Sequence, residues 1–327
     1  MVFFPVLNAA LSVFLLILLG ACLFRWKILR EEALPSLMSM LINVLYPCLI
    51  FDKMGRTNIL EHLGAMWLAP IVGFASLAIG LGIAVLFTRL PKKLTGMETD
   101  ELRHTFEVGA STYNYGYLPI PILLLLCPGN DQIMSLLFLF MIGVELALWT
   151  CAVPCLAGGL QKGWWKKMLT VPLFTVLIAI AMNLLGGYAY IPAVVATTIT
   201  WIGQAYLAMP LIVVGALVFQ ELQAVRHQAP QAGLKRSLFW LLAFRCVLFP
   251  LLLIVVAALF LSSQPLLQQI VVIQAAMPTA MLLVMFSKLY GGSSSLATWG
   301  VVVTNLLSPV TAVLWISGGM WLVKVLG

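Results

Sequence analysis

The chain has 327 residues, of which 62% are hydrophobic and only 9% charged, and its mean hydropathy is +1.07. A water-soluble domain carries roughly 25% charged residues, so the composition excludes one and specifies a polytopic membrane protein. The net charge of +7 does not indicate nucleic-acid binding, because the basic residues sit in short loops between apolar stretches.

Stretches long enough to cross a bilayer, about 20 residues each, run over residues 4–24, 34–52, 64–89, 104–127, 132–157, 171–187, 192–220, 237–262, 265–289 and 296–323. The expected fold is therefore all-α, with ten transmembrane helices. The start Met1-Val-Phe-Phe-Pro5 lacks the basic region of a secretory signal, so the first span is expected to be retained. The loops after the first, third, fifth, seventh and ninth spans hold fourteen lysines and arginines, Arg226 among them. The other side has Lys53, Arg56 and Lys324. The bias places the odd loops in the cytoplasm and both termini outside. The six cysteines fall in or beside apolar spans without metal-ligand spacing, and read as small apolar residues.

The prolines repeat in order. Pro5, Pro35, Pro47 and Pro121 find counterparts at Pro172, Pro192, Pro210 and Pro278, at spacings of 157–167 residues. Two five-span halves, residues 1–160 and 161–327, follow. An odd number of spans gives the second half inverted topology, an arrangement found in secondary transporters with interrupted helices.

The fourth span contains Thr112-Tyr-Asn-Tyr-Gly-Tyr-Leu-Pro-Ile-Pro121 and the ninth contains Gln274-Ala-Ala-Met-Pro278. Proline removes a donor and clashes with the carbonyl four residues back, so Pro119 and Pro121 free the carbonyls of Tyr115 and Tyr117. Such a break survives in hydrocarbon only where protein buries it or it lines a wet cavity. If the two spans cross at their prolines, each second half-helix begins there. Two N-termini then face one midplane pocket, which suits an anion. Asn114, Tyr117 and Pro121 stand at i, i+3 and i+7, one helical face. Asn114 is a candidate substrate contact or a cap for the break, and Gln274 has the same two readings. Pro278, Thr279, Tyr113 and Tyr115 are further candidates.

Ionisable residues inside spans are costly and mark function. Glu145, near the middle of the fifth span, is a candidate proton carrier. Arg245, about 12 Å into the eighth span at 1.5 Å per residue, could attract an anion, pair with Glu145 or snorkel to the interface. Glu107, with His104, reads as a solvated pair at a helix start. Tyr46-Pro47 and Met209-Pro210, with Asn43 and Gln204, either face the pocket or bend their helices. His-Glu-x-x-His, Gly-x-Ser-x-Gly and paired intramembrane aspartates are absent from the sequence, so no enzyme is expected.

The joint order of several motifs resembles the auxin efflux carrier family of membrane transport proteins. They are Leu19-Gly20 with Arg25 to Ile28, Asn43-Val-Leu-Tyr-Pro47, Asn114 to Pro121, Pro210 with Gly215, Arg245 to Pro250, and Gln274 through Tyr290-Gly291. That family is similar in fold to bile acid/sodium symporters. The resemblance implies a scaffold of spans 1, 2, 6 and 7, a mobile transport domain of spans 3–5 and 8–10, elevator-type alternating access and a homodimer. It implies a bacterial inner-membrane carrier: the loop between spans 5 and 6 is short, which departs from the plant carriers and favours small carboxylates such as malonate or malate over auxin. No cofactor is expected beyond a coupling proton or sodium ion. The alternatives are a sodium-coupled organic-anion symporter and a membrane receptor that binds without transport.

Overall fold

In the computed structural model, which describes residues 3–57, 63–225 and 232–326, the chain is helical. Arg226 lies outside the described residues, as do Met1 and Val2 ahead of the first span. Among the described residues seven helices are long and apolar enough to cross a membrane: α1 (Phe3–Arg25), α2 (Glu31–Gly55), α3 (Gly64–Thr88), α6 (Asp131–Ala157), α8 (Ala193–Val225), α9 (Leu234–Phe260) and α12 (Ser294–Leu326). Between α3 and α6 lie two half-length helices, α4 (Asp100–Ser111) and α5 (Pro119–Leu126). The shorter apolar helix α7 (Val171–Leu184) precedes α8. A second pair of half-length helices, α10 (Pro265–Ala275) and α11 (Leu282–Tyr290), lies between α9 and α12.

The prolines shape the long helices as their chemistry demands. In α2, α6 and α9 a π-helical turn immediately precedes the proline-bearing segment: Leu41–Leu45 before Pro47, Leu148–Ala152 before Pro154, and Phe244–Leu248 before Pro250. A wider turn there makes room for the ring. Helix α8 is interrupted over residues 206–208, just before Pro210. Two freed carbonyls find side-chain donors. Trp315 Nε1 donates to Cys246 O at 2.7 Å, four residues before Pro250. Ser308 Oγ donates to Asn305 O at 2.7 Å, four residues before Pro309.

Helices pair through small residues, as membrane helices do when backbones must approach closely. Helix α1 packs on the second part of α8 and α7 packs on α2. Helix α3 packs on α6, and α9 on α12. The α1–α8 and α7–α2 pairings each join the first span of one half to the second of the other, and the α3–α6 and α9–α12 pairings lie one in each half. At the α1–α8 crossing, a Cβ on Gly20 would lie 1.9 Å from Ile212 O, and one on Gly215 would lie 1.9 Å from Ile17 O. At the α3–α6 crossing, a Cβ on Gly143 would lie 1.8 Å from Pro70 O, and one on Gly73 would lie 2.0 Å from Phe140 O. Polar contacts tie α7 to α2: Asn183 Nδ2 donates to Met54 O at 3.1 Å and to Thr57 O at 2.6 Å.

Gly143→Val is expected to lower the thermal midpoint of the detergent-purified protein, since forced overpacking costs about 1–3 kcal/mol. Gly82→Ala, where a Cβ meets nothing within 4 Å, should leave that midpoint unchanged in the same assay.

Candidate functional site

The two interrupted spans cross. Between α4 and α5 the chain runs extended through Thr112, and between α10 and α11 it is non-helical around Pro278-Thr279. The two stretches meet as an antiparallel β-bridge between Tyr113 and Thr279. The amide of Asn114 donates to Pro278 O at 2.8 Å, and that of Ala280 donates to Thr112 O at 3.2 Å. Main-chain groups lost to the helices are thus paired with one another, as a dry interior requires.

Side chains satisfy what the bridge leaves over. Asn114 is 4% exposed, and its Oδ1 accepts the Tyr117 amide at 3.1 Å, closing a tight turn that leads into α5. Its Nδ2 has no partner among the described residues. Gln274 is completely buried, and its Nε2 donates to Tyr115 O at 3.0 Å. That carbonyl is the one Pro119 frees, so the amide of one span repairs the break in the other. Thr279 is also completely buried. Its amide donates to Thr304 Oγ1 at 3.2 Å, and its Oγ1 donates to Gly109 O at 3.3 Å. Asn305 Nδ2 of α12 donates to Thr279 O at 3.3 Å.

Arg245 lies beside the bridge. It is 2% exposed, and one terminal nitrogen, Nη2, donates to Ala275 O at 2.8 Å. This carbonyl is at the C-terminal end of α10, where the helix dipole favours a cation. The guanidinium carbon sits 3.9 Å from the ring centroid of Phe249 and 5.3 Å from that of Tyr113. The Tyr113 hydroxyl in turn bonds Ser76 Oγ at 2.6 Å. Arg245 forms no ion pair with any described acid.

Seven buried side-chain polar atoms lack a hydrogen-bond partner among the described residues, and five of them belong to the crossover. They are Arg245 Nε and Nη1, Thr112 Oγ1, Gln274 Oε1 and Asn305 Oδ1. A buried polar atom without a partner costs about 1–3 kcal/mol. Such a concentration at one point calls for a functional explanation.

Several sequence expectations need correction. The second half-helix of the ninth span starts at Leu282, not at Pro278; Pro278 is consumed by the bridge, where its carbonyl accepts Asn114. Asn114, Tyr117 and Pro121 do not share a helical face, because the first two stand in the break and only Pro121 is in α5. Asn43 lies away from the crossover, exposed, with its Nδ2 donating to Ser39 O at 2.9 Å one turn back in α2. Arg245 neither pairs with Glu145 nor snorkels: the hydrogen bond to Ala275 holds it inside. Glu107 is not solvated, being 3% exposed. Thr88 Oγ1 lies 2.5 Å from its Oε1, and Cys155 Sγ lies 3.1 Å from its Oε2.

Glu145 is partly buried on α6, near enough to Tyr46 and Tyr115 to act on them electrostatically. Tyr46 stacks on Tyr206 at 5.0 Å and meets Phe138 edge-on at 5.8 Å. This aromatic cluster joins α2 and the break in α8 to α6, so Tyr46-Pro47 does reach the interior. Gln204 instead lines a cavity of about 190 Å³ with Asp52, Lys53, Arg56 and Thr200. The larger cleft, about 470 Å³, opens around Gly129, Asn130 and Asp131, away from the bridge. Thr112, Tyr206, Thr304 and Asn305 escaped the sequence reading. Asn305 stands four residues before Pro309 inside an apolar span, and that polar-proline spacing was the available signal.

Gln274→Leu leaves the Tyr115 carbonyl unpaired and should destabilise the protein by about 1–3 kcal/mol. Differential scanning fluorimetry of the purified variant would register this as a lowered midpoint.

A family model described as membrane transport protein matches residues 5–161 and 159–316 of this chain. No curated protein matches it.

Proposed function

The chain belongs to the membrane transport protein family, the auxin efflux carrier family that its motifs resemble, and on that premise we propose that it is a secondary carrier exporting a small organic anion. As a multi-pass membrane protein of a transporter family it is read as a carrier and not as an enzyme. The observation that carries the substrate class is the set of partnerless atoms at the crossover, above all the two free nitrogens of Arg245. A guanidinium presents N–H donors in fixed directions, each able to make a charge-assisted hydrogen bond to a carboxylate oxygen. The remaining partnerless atoms are oxygens, suited to hydroxyl or amide donors on the same solute or to water.

The working cycle we infer is elevator-type. Helices α1, α2, α7 and α8 form the scaffold, and α3 to α6 with α9 to α12 form the moving unit that carries the crossover. The two stretches matched by the family model, and the corresponding pairings in the two halves, support two inverted repeats. In this reading Asn114, Tyr117, Pro121, Gln274, Pro278 and Thr279 shape the binding point. Asn114 and Gln274 hold the break open while Asn114 Nδ2 faces the solute. The setting is a bacterial inner membrane with both termini outside, and the assembly is a homodimer. Malonate and malate are the first solutes to try.

A sodium-coupled symporter is the second reading. Three partnerless oxygens, Thr112 Oγ1, Gln274 Oε1 and Asn305 Oδ1, favour a cation at the same place, whereas the charge of Arg245 opposes it.

The test is uptake of labelled malonate into proteoliposomes. Saturable flux that persists in sodium-free medium is expected. Arg245→Gln should cut that flux at least about tenfold, because a hydrogen bond to a charged group contributes roughly 1.5–3 kcal/mol. Normal flux in Arg245→Gln would refute the assignment. Flux confined to sodium medium would favour the symporter, and binding without flux a receptor.

A further inference from the structure

Glu107 is a buried carboxyl that the crossover does not use. It stands on α4, with α3 and the last turns of α6 against it. Its Oε1 contacts Thr88 Oγ1 at 2.5 Å, and its Oε2 contacts Cys155 Sγ at 3.1 Å. Thr88 Oγ1 also lies 2.9 Å from Val85 O, which can only accept. A hydroxyl has a single proton to give. When that proton goes to Val85 O, the short Thr88–Glu107 contact needs a proton from the carboxyl. The thiol of Cys155 supplies the other oxygen. With the Thr88 proton on Val85 O, the contact to Glu107 is a hydrogen bond when the carboxyl carries a proton.

The surroundings offer no ion-pair partner, although Arg103 is near enough to act electrostatically on the adjoining Cys155 thiol. Among the described residues Glu107 makes no ion pair. On its own helix, Arg103 pairs with Asp100 at 3.0 Å and meets His104 Nε2 at 3.1 Å. On α3 the nearest charged position is Arg89, one residue beyond Thr88. On α6 the facing titratable group is Cys155. On α9, Arg236 donates to Lys93 O and Arg245 to Ala275 O. On α11, Lys288 pairs with Glu221 at 3.6 Å. Helix α12 carries no charged residue except Lys324 near its far end. An ionised carboxylate without a partner is expensive to bury.

We propose that Glu107 is a proton-binding site of the carrier, taking up and releasing one proton in each cycle so that movement of the organic anion is tied to movement of a proton. The step is a plain protonation: carboxylate plus proton gives the acid, and release reverses it. Arg103 and His104, one turn nearer the start of α4, are partly exposed and mark the route by which water reaches the site. The other end of α4 leads to the crossover. Ser111 Oγ donates to Glu107 O at 3.0 Å, and the next residue, Thr112, enters the bridge. A proton at Glu107 therefore fixes α4 against α3 and α6 at the root of the strand that bears the binding point.

This proposal rests on the carrier reading, and the experiment separates the two. Glu107→Gln retains each hydrogen bond of the acid form, because the amide nitrogen donates to Thr88 and the amide oxygen accepts from Cys155. The variant should fold and exchange internal for external malonate in proteoliposomes at the wild-type rate. It should lose accumulation driven by an imposed pH gradient. Infrared spectra should show a carboxylic-acid carbonyl stretch in the wild type that the variant lacks. Gradient-driven accumulation that survives in Glu107→Gln overturns the proposal, as does a wild type insensitive to the gradient or an acid band the variant leaves unchanged. If the wild type moves no malonate, the carrier reading fails for that solute, and the infrared band still decides whether Glu107 holds a proton.

Discussion

A main-chain carbonyl that a proline deprives of its donor must, inside a bilayer, be met by something else. Much of this molecule can be understood as the set of answers to that demand. Trp315 answers for Cys246, Ser308 for Asn305 and Gln274 for Tyr115. The first two are repairs made near a continuous helix. The third reaches between two spans, and it is possible only because both are interrupted at the same place.

That shared interruption has an electrostatic consequence. Helix α10 ends at the crossover with its carbonyls facing inward, and Arg245 supplies the positive charge that such an end attracts. The bond to Ala275 uses one guanidinium nitrogen and leaves two without a partner. The rings of Phe249 and Tyr113 hold the plane of the group. A fixed cation with spare donors thus stands beside a main chain already folded back on itself.

The helical spans and the two breaks were legible in the sequence because hydropathy and proline act locally. The repair of the Tyr115 carbonyl was half legible: Pro119 identifies the orphan, but no spacing rule points to a glutamine 159 positions away. Two of the three readings of Arg245, the pair with Glu145 and the snorkel, fell for the same reason. Its depth follows from the helix rise, whereas its neighbours are set by how α9 lies against α10. Glu107 was read as a solvated helix start because it stands with His104 near the expected N-terminus of a span, where acids are favoured. The ends of α3 and α6 close over that turn through Thr88 and Cys155 and bury it. Asn43, four residues before Pro47, is exposed and bonds its own helix. Pro278 marked the break correctly but not the helix start, because an extended pairing used the residues that a helix would have claimed.

The most direct test of the crossing is a disulfide across it. Tyr113 and Thr279 oppose each other at a position where the flanking residues carry the hydrogen bonds. At such an antiparallel pair the Cα atoms stand about 4.5 Å apart, within the range a disulfide spans. With Tyr113→Cys and Thr279→Cys in a background freed of native cysteines, mild oxidation of native membranes should yield the linked peptide in mass spectra, and a control pair of Tyr113→Cys with Leu326→Cys should not. Absence of the Tyr113–Thr279 link, in protein that is folded and whose two thiols are oxidisable, would contradict the account.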